Sequence, residues 1–309
     1  MDDVSHDPAR PGIVVRGRYS LLSAAQQELL RAVSVFAGGF TGPAVDGLVA
    51  RLDPQRRARL ASRGGRAGHL GALEARSLVV REAGGRLRLP GAVRRFAAGE
   101  QGSVERDATR RAHLRWLVDL AEEAATAGWD TGRDTGWDAC GDDRLAHEGD
   151  NIRAAFDTAR AVGDLESGQR LGAALVRHWH RHGAVAEGIT LLREFLARAG
   201  RDGVPLTVTA RAWLALGTLH HLAGDNGEAH RLTTLAGDLA SLAGDVATEA
   251  RSLGRAAHLA VLAGADRHRA VAAAERGARL AATLGDDRVR TESAAALRLV
   301  RELVAAARP

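Results

Sequence analysis

The stretch LAGDNGEAHRLTTLAGDLASLAGDVATEA, residues 222–250, decides the fold of this chain. Gly224-Asp225 and Gly244-Asp245 lie 20 residues apart, and Leu232, Leu235, Leu239 and Leu242 recur between them at helical spacing. Glycine takes the left-handed conformation that ends a helix, and the aspartate after it offers a cap to the next, so each interval predicts one helix and its turn. The same mark extends in both directions. Gly163, Gly183, Gly203, Gly224, Gly244, Gly264 and Gly285 follow one another at 20 or 21 residues, and Asp164 and Asp286 repeat the glycine-aspartate pair. Two such helices make a hairpin of about 40 residues, and stacked hairpins make an α-solenoid. Small residues (Ala212, Ala215 and Gly217; Ala256, Ala257 and Ala260) let neighbouring helices approach closely, and Trp213, Leu216, Leu219, His220 and Ala223 give a further apolar stripe.

Composition agrees. The chain has 309 residues, enough to bury a substantial core and to divide into two or three domains. Aromatic residues make up only 4%, so helix is expected to prevail over sheet. No lysine occurs, and all 43 basic residues are arginine, a usage that suggests a GC-rich bacterial genome. Without lysine there is no phosphate-loop ATPase and no Schiff-base chemistry in this chain. Residues 1–111 carry a net charge of +8 and residues 112–309 a net charge of −3. A basic front suits nucleic acid, an acidic partner surface or a solvated arginine-rich face. Cys140 is the single cysteine, which fits a reducing compartment. The N-terminal MDDVSHDPARPG has no apolar core of signal-peptide length and no apolar run reaches membrane-spanning length, so a cytoplasmic protein with no membrane contact is expected.

The front has a different pattern. YSLLSAAQQELLRAVSVFAGGF, residues 19–40, offers Ser23 as N-cap with Gln26 as its capping-box partner, then Leu29, Leu30, Val33 and Phe36 on one face, closed by Gly38 and Gly39. Further helices are expected over residues 42–50 and 69–76. SLVVREAGGRLRL then alternates and turns on Gly84 and Gly85, a hairpin signal. Three helices followed by a hairpin outline a winged helix. Helices are expected again over residues 92–99 and 107–127. LDPQRRARLASRGGRAG, residues 52–68, holds Arg56, Arg57, Arg59, Arg63 and Arg66, yet Gly64, Gly65 and Gly68 make it resemble a linker more than a recognition helix.

Several stretches imitate catalytic or metal chemistry. RHWHRHGAVAEG, residues 177–188, places His178 and His182 at i, i+4, but no acid or cysteine at matching spacing completes a ligand set. Helix-end histidines, with Trp179 in an inter-helix seam, account for it, and His220 and His221 read the same way. GWDTGRDTGWDACGDD, residues 128–143, is acidic but lacks the spacing of a calcium loop and reads as an exposed, mobile segment. Cys140 and His147 have no third group to orient them as a nucleophile pair. Asp150 and Asn151 read as helix-start and inter-helix hydrogen-bonding residues ahead of Ile152, Ala155 and Phe156. No catalytic, cofactor or metal residue is therefore assigned.

Five segments resemble the helical half of actinobacterial STAND-type ATPase transcriptional regulators, the AfsR/SARP and LuxR-like groups. They are LLSAAQQELLRAVSVFAGGFT, LGALEARSLVVREAGGRLRL with the following VRRFA helix, RRAHLRWLVDLAEEA, RLAHEGDNIRAAFDTARAVGD and LVRHWHRHGAVAEGITLLREFL, which together cover residues 19–200 in family order. The resemblance implies a winged-helix module packing against protein, a connecting bundle and a tetratricopeptide-like sensor arm. Relative to that family the chain lacks a nucleotide-binding domain. Where those ATPases usually present a histidine or acid to the nucleotide, LRLPGAVRRFA has Pro90 and Gly91, and only Arg94 remains of the pattern.

The expectation is thus a mainly α protein: a flexible N-terminus over 1–18, a winged-helix-like domain over 19–104, a helical connector over 105–162 and a tetratricopeptide-like α-solenoid over 163–309. It is expected to be a non-enzymatic regulator that binds a protein partner or small effector, with Trp179, Glu187, Trp213 and His221 as groove residues and homo-oligomers allowed. The alternative is a DNA-binding winged helix controlled by the solenoid, using the basic surface of Arg56, Arg57, Arg59, Arg94 and Arg95.

Overall fold

The computed structural model describes residues 10–61, 65–127, 143–198 and 203–306. Most of the segment 128–143, with Cys140, lies outside them, as do Arg63 and Gly64. The described residues divide into two units: residues 10–119 with 143–162, and residues 120–127 with 163–306. The connector expected over 105–162 is divided between them.

The first unit holds α1 (Arg10–Ser20), α2 (Ala24–Val33), α3 (Gly42–Ala50), α4 (Pro54–Leu60), α5 (Gly65–Ala75), β1 (Val80–Arg81), β2 (Leu87–Arg88), α6 (Gly91–Gly99), the greater part of α7 (Ser103–Ala127) and α8 (Gly149–Val162). Ser23 and Gln26 form the capping box: Gln26 N donates to Ser23 Oγ at 3.3 Å and Ser23 N to Gln26 Oε1 at 3.0 Å. Leu29, Leu30, Val33 and Phe36 are all buried, as are Leu48, Leu60, Leu73, Leu114 and Leu117 of the same unit. The hairpin pairs Val80 with Arg88 and Arg81 with Leu87, and Gly84 and Gly85 turn it at positive φ. Phe40 exchanges both backbone hydrogen bonds with Leu87 at 2.8 Å, so the hairpin is tied to the end of the Gly38-Gly39 turn.

Of the N-terminus read as flexible, residues 1–9 lie outside the described residues and residues 10–18 are helical in α1, with Val15 and Tyr19 buried. One expectation fails here. Residues 54–60, read as linker, form α4: Asp53 Oδ1 accepts from Arg56 N at 2.9 Å, Pro54 opens the helix and Leu60 is fully buried.

The second unit holds the end of α7, then α9 (Leu165–Ala174), α10 (Val176–Arg181), α11 (Val185–Ala197), α12 (Leu206–Leu222), α13 (Asn226–Ala243), α14 (Val246–Leu262), α15 (Arg267–Ala282) and α16 (Asp287–Ala306). Six of the seven marker glycines have φ between 66° and 85°, and Gly285 does not. Asp164, Asp225 and Asp245 cap the helices that follow, accepting from Ser167 N, Glu228 N and Thr248 N at 3.0 to 3.1 Å. Asp286 accepts from Arg288 N and Val289 N. The first interval departs from one helix per mark. It breaks at Leu175, whose N–H reaches back to Gly172 O as well as Leu171 O, and so holds both α9 and α10.

Each helix from α12 to α16 packs on the next, and α14 also meets α12 and α16, which is the layering of a tetratricopeptide-like solenoid. The seams close on small residues. In α13 the buried stripe is Ala229, Leu232, Thr233, Ala236 and Ala240, while Leu242 is exposed and Leu235 and Leu239 are half-buried. Alanine lets the helix axes approach, and Leu235, Leu239 and Leu242 are displaced to the flanks while Leu232 stays in the stripe.

Candidate ligand-binding face

α12, α14 and α16 form one layer of the second unit, and the polar residues of that layer meet. On α14, Arg251, Arg255 and His258 follow at i, i+4 and i+7, which places all three on one helix face. Arg255 Nη1 donates to Thr218 Oγ1 of α12 at 2.6 Å. One turn further along α12, the ring of His221 meets that of His258 edge to face, with centroids 5.7 Å apart. His221 Nδ1 donates to Asn226 Oδ1 at 2.7 Å, which fixes the ring. From α16, Glu292 accepts from Arg251 Nε at 2.5 Å and from Arg288 Nε at 3.0 Å. Arg251 and Arg288 thus share the Glu292 carboxylate, and Arg255, His221 and His258 lie on the same layer.

Two of these groups are shifted from their ordinary values. Burial pushes His258 below its ordinary value, and His221 and Arg255 beside it push it further down. Burial likewise lowers Arg255, which Glu292 offsets only in part. Both shifts disfavour the charged form, and an anion docking beside these groups would favour it.

Of the residues expected to line a groove, the structure brings His221 to this face. Trp179 is buried, with its indole over Gly188, and is seam packing. Trp213 is half-buried on α12 and Glu187 half-buried near the start of α11. His220, read as partly exposed, is buried: Arg193 Nη2 lies 3.0 Å from its Nε2 and Asp225 Oδ2 lies 3.3 Å from its Nδ1. Arginine only donates, so Nε2 accepts and Nδ1 carries the proton. His182 Nδ1 donates to His178 O at 2.8 Å, so its ring serves its own helix. Among the described residues no group of three or more His, Cys, Asp or Glu is placed to hold a metal ion. Thr218, Arg251, Arg255, His258, Arg288 and Glu292 escape a sequence reading. The available signal was the stripe Arg251, Arg255, His258 on a helix otherwise rich in alanine.

The basic surface is rearranged. Arg56 is buried and donates from Nε to Glu28 Oε1 at 3.0 Å and from Nη1 to Thr109 Oγ1 at 3.0 Å. Arg59 donates from Nε to Glu28 Oε2 at 2.7 Å. Arg57 is exposed and reaches Ala50 O, Arg94 donates to Ala37 O at 3.0 Å, and Arg95 is exposed. A folded α4 spends two of the expected DNA contacts inside the protein.

Asn151 holds the first unit's turn. Its Oδ1 accepts from Ala37 N at 2.9 Å and Gly38 N at 3.3 Å, and its Nδ2 donates to Gly39 O at 3.1 Å. Glu148 accepts from Asn151 Nδ2 and from Arg86 Nη1, and Arg86 Nη2 reaches Gly39 O. These residues brace the backbone and are structural.

Fold and face together define a mainly α protein with an early small β hairpin and a tetratricopeptide-like helical repeat carrying a cationic face. No family model matches the chain, and no curated protein matches it. Among solved structures it is similar to a signal transduction ATPase with numerous domains (STAND) protein with a tetratricopeptide repeat sensor from Pyrococcus horikoshii, at 11% identity and a TM-score of 0.40. The match covers 98% of this chain and 50% of that one, so the chain spans about half the length of that protein. Among the described residues no helix is long and apolar enough to cross a membrane.

Proposed function

We propose that this chain is a non-catalytic binding module of bacterial transcriptional regulation, whose helical repeat receives an acidic segment of a protein partner or an acidic small effector on the face of α12, α14 and α16. One observation carries the reading: Arg251, Arg255 and His258 share one face of α14, and His221 of α12 meets that face at His258. An anion docking there gains charge-assisted hydrogen bonds from donors that packing already holds in place. A winged-helix DNA reader is the second reading, and it is weakened by the burial of Arg56 and the pairing of Arg59 with Glu28.

The test is fluorescence anisotropy of the full chain with a labelled Glu-Glu-Leu repeat peptide, its Lys-Lys-Leu counterpart and a labelled DNA duplex, across a salt series. The acidic peptide is expected to bind, and Arg255→Met to weaken it about tenfold while Arg279→Met, exposed on α15, leaves it unchanged. Duplex binding that is lost on replacing Arg57 and Arg95, with no peptide binding, would reverse the assignment.

A further inference from the structure

The first unit contains a cleft of about 620 Å³, walled by the end of α2 and by α6, α7 and α8, that neither the repeat face nor the hairpin uses. Its volume lies in the range of small-molecule sites. Val35, Ala37, Ala98, Ala154 and Ala161 line it with apolar surface. The hydroxyls along it are already spent: Ser34 donates to Arg31 O, Thr109 to Glu105 O and Thr158 to Ala154 O, each within 2.7 to 2.9 Å. Gln101, also in the lining, donates from Nε2 to Arg31 O at 2.8 Å, so the positive charge the lining offers a ligand is guanidinium.

Three arginines stand along it, Arg94 from α6 and Arg106 and Arg110 from α7. Two are fixed by backbone carbonyls, Arg94 Nη1 on Ala37 O at 3.0 Å, and Arg106 Nη2 on Ala98 O at 3.0 Å and Gln101 O at 3.1 Å. A guanidinium has five N–H donors, so each anchored group keeps donors beyond those bonds. Arg110 follows Arg106 at i+4 and is exposed. Asp157 is the one acid among the described lining residues, and it is paired with Arg160 at 2.7 Å. Carbonyl anchoring alone would explain Arg106 as a cap on the end of α6. It does not explain why a second anchored guanidinium, from another helix, borders the same apolar hollow.

We infer that this cleft binds a small amphiphilic organic anion, with its apolar body on the alanine-lined wall and its carboxylate or phosphate on Arg94, Arg106 and Arg110. This goes beyond the repeat-face reading and does not depend on it. Preorganised guanidiniums lose little on binding, and a planar oxyanion meets their fork bidentately.

Calorimetric titration of the full chain with naphthoate, naphthyl phosphate, naphthalenemethanol and inorganic phosphate tests it. Saturable binding of one or both charged naphthyl probes is expected, with naphthalenemethanol and inorganic phosphate each at least about tenfold weaker. The tighter of the two charged probes tells a carboxylate ligand from a phosphate ester. Arg110→Glu, at an exposed position, and Ala154→Leu, which fills the wall, are each expected to weaken binding at least about tenfold, while Arg111→Glu, exposed on α7 outside the lining, leaves it unchanged. The inference is overturned if neither charged probe saturates, if naphthalenemethanol binds as well as they do, or if Arg111→Glu acts like Arg110→Glu.

Discussion

The indole of Trp179 covers the α-carbon of Gly188: a Cβ placed there would lie 2.4 Å from Cε3 and 2.5 Å from Cδ2 of the ring. Glycine in mid-helix costs about 1 kcal/mol relative to alanine, so its presence in α11 is a packing requirement and not a helix preference. Gly188→Ala should therefore destabilise the second unit by about 1–3 kcal/mol in spite of the gain in propensity. Urea unfolding followed by tryptophan fluorescence reads this. A double-mutant cycle with Trp179→Leu should recover most of the loss, since the smaller side chain vacates the contact. An alanine variant as stable as the parent would mean that the ring moves aside freely.

Glu28 joins α2 to α4 in the first unit. Burial raises its carboxyl, but the hydrogen bonds from Arg59 and Arg56 outweigh this and hold it below its ordinary value of 4.5. A depressed folded-state value means that the stabilisation is complete above 4.5 and fades as pH falls through the lower folded value. Glu28→Gln should cost about 3 kcal/mol by leaving Arg56 poorly compensated in the interior. Arg59→Met, at an exposed position, should cost less than Glu28→Gln, because solvent screens its charge. Hydrogen exchange over α2 and α4 checks both, and the Gln variant should lose protection at neutral pH and change less than the parent on acidification.

The sequence disclosed what local chemistry controls. A glycine that must reach positive φ and an aspartate that must face the next N–H are written within three residues of each other, so the marks at Gly224 and Gly244 locate helices without knowledge of the fold. Non-local pairing is not written that way. Arg56 meets Glu28 across 28 residues and Arg255 meets Thr218 across 37, and each arginine alone reads as a solvated charge. Hydrophobic periodicity succeeded only in part on α13, where it selects four leucines of which Leu232 alone is buried, beside Ala229, Ala236 and Ala240. Close approach of axes rewards small side chains, and a stripe of alanine carries almost no periodic signal. The reading of α4 as linker failed because a short, polar helix owes its stability to what it packs on.

His113 is buried in the first unit among Phe36 and Trp116, with ring centroids at 5.2 and 5.7 Å, and neither ring nitrogen meets a hydrogen-bond partner. Burial lowers its pKa from 6.5 to about 3. The folded state thus keeps the ring neutral where the unfolded chain protonates it. Its contribution is full above 6.5 and is lost as pH falls toward 3, at no more than about 1.4 kcal/mol per pH unit. His113→Leu keeps comparable volume and removes the unsatisfied nitrogens, so it should stabilise the first unit by about 1 kcal/mol at pH 7 and by more at pH 5. Hydrogen exchange of α7 peptides at the two pH values checks it. Equal changes at both would show that His113 does not carry this pH dependence.

The cationic face makes its own pH prediction. His258 lies below its ordinary value because of burial, then His221, then Arg255. Removing a positive neighbour relieves only the last of these, so Arg255→Met should raise the His258 pKa while burial still keeps it below 6.5. An acidic ligand on the same face should raise it as well, since the anion favours the imidazolium. Linkage then fixes the sign: the complex takes up a proton, and affinity for the acidic peptide should increase as pH falls through the bound-state value of His258. Imidazole Cε1–H resonances, titrated by NMR with and without the Glu-Glu-Leu peptide, separate the two effects. A His258 resonance that shifts its midpoint upward with Arg255→Met, yet stays unmoved by peptide at saturation, would place the ligand elsewhere on the repeat and leave this face as packing alone.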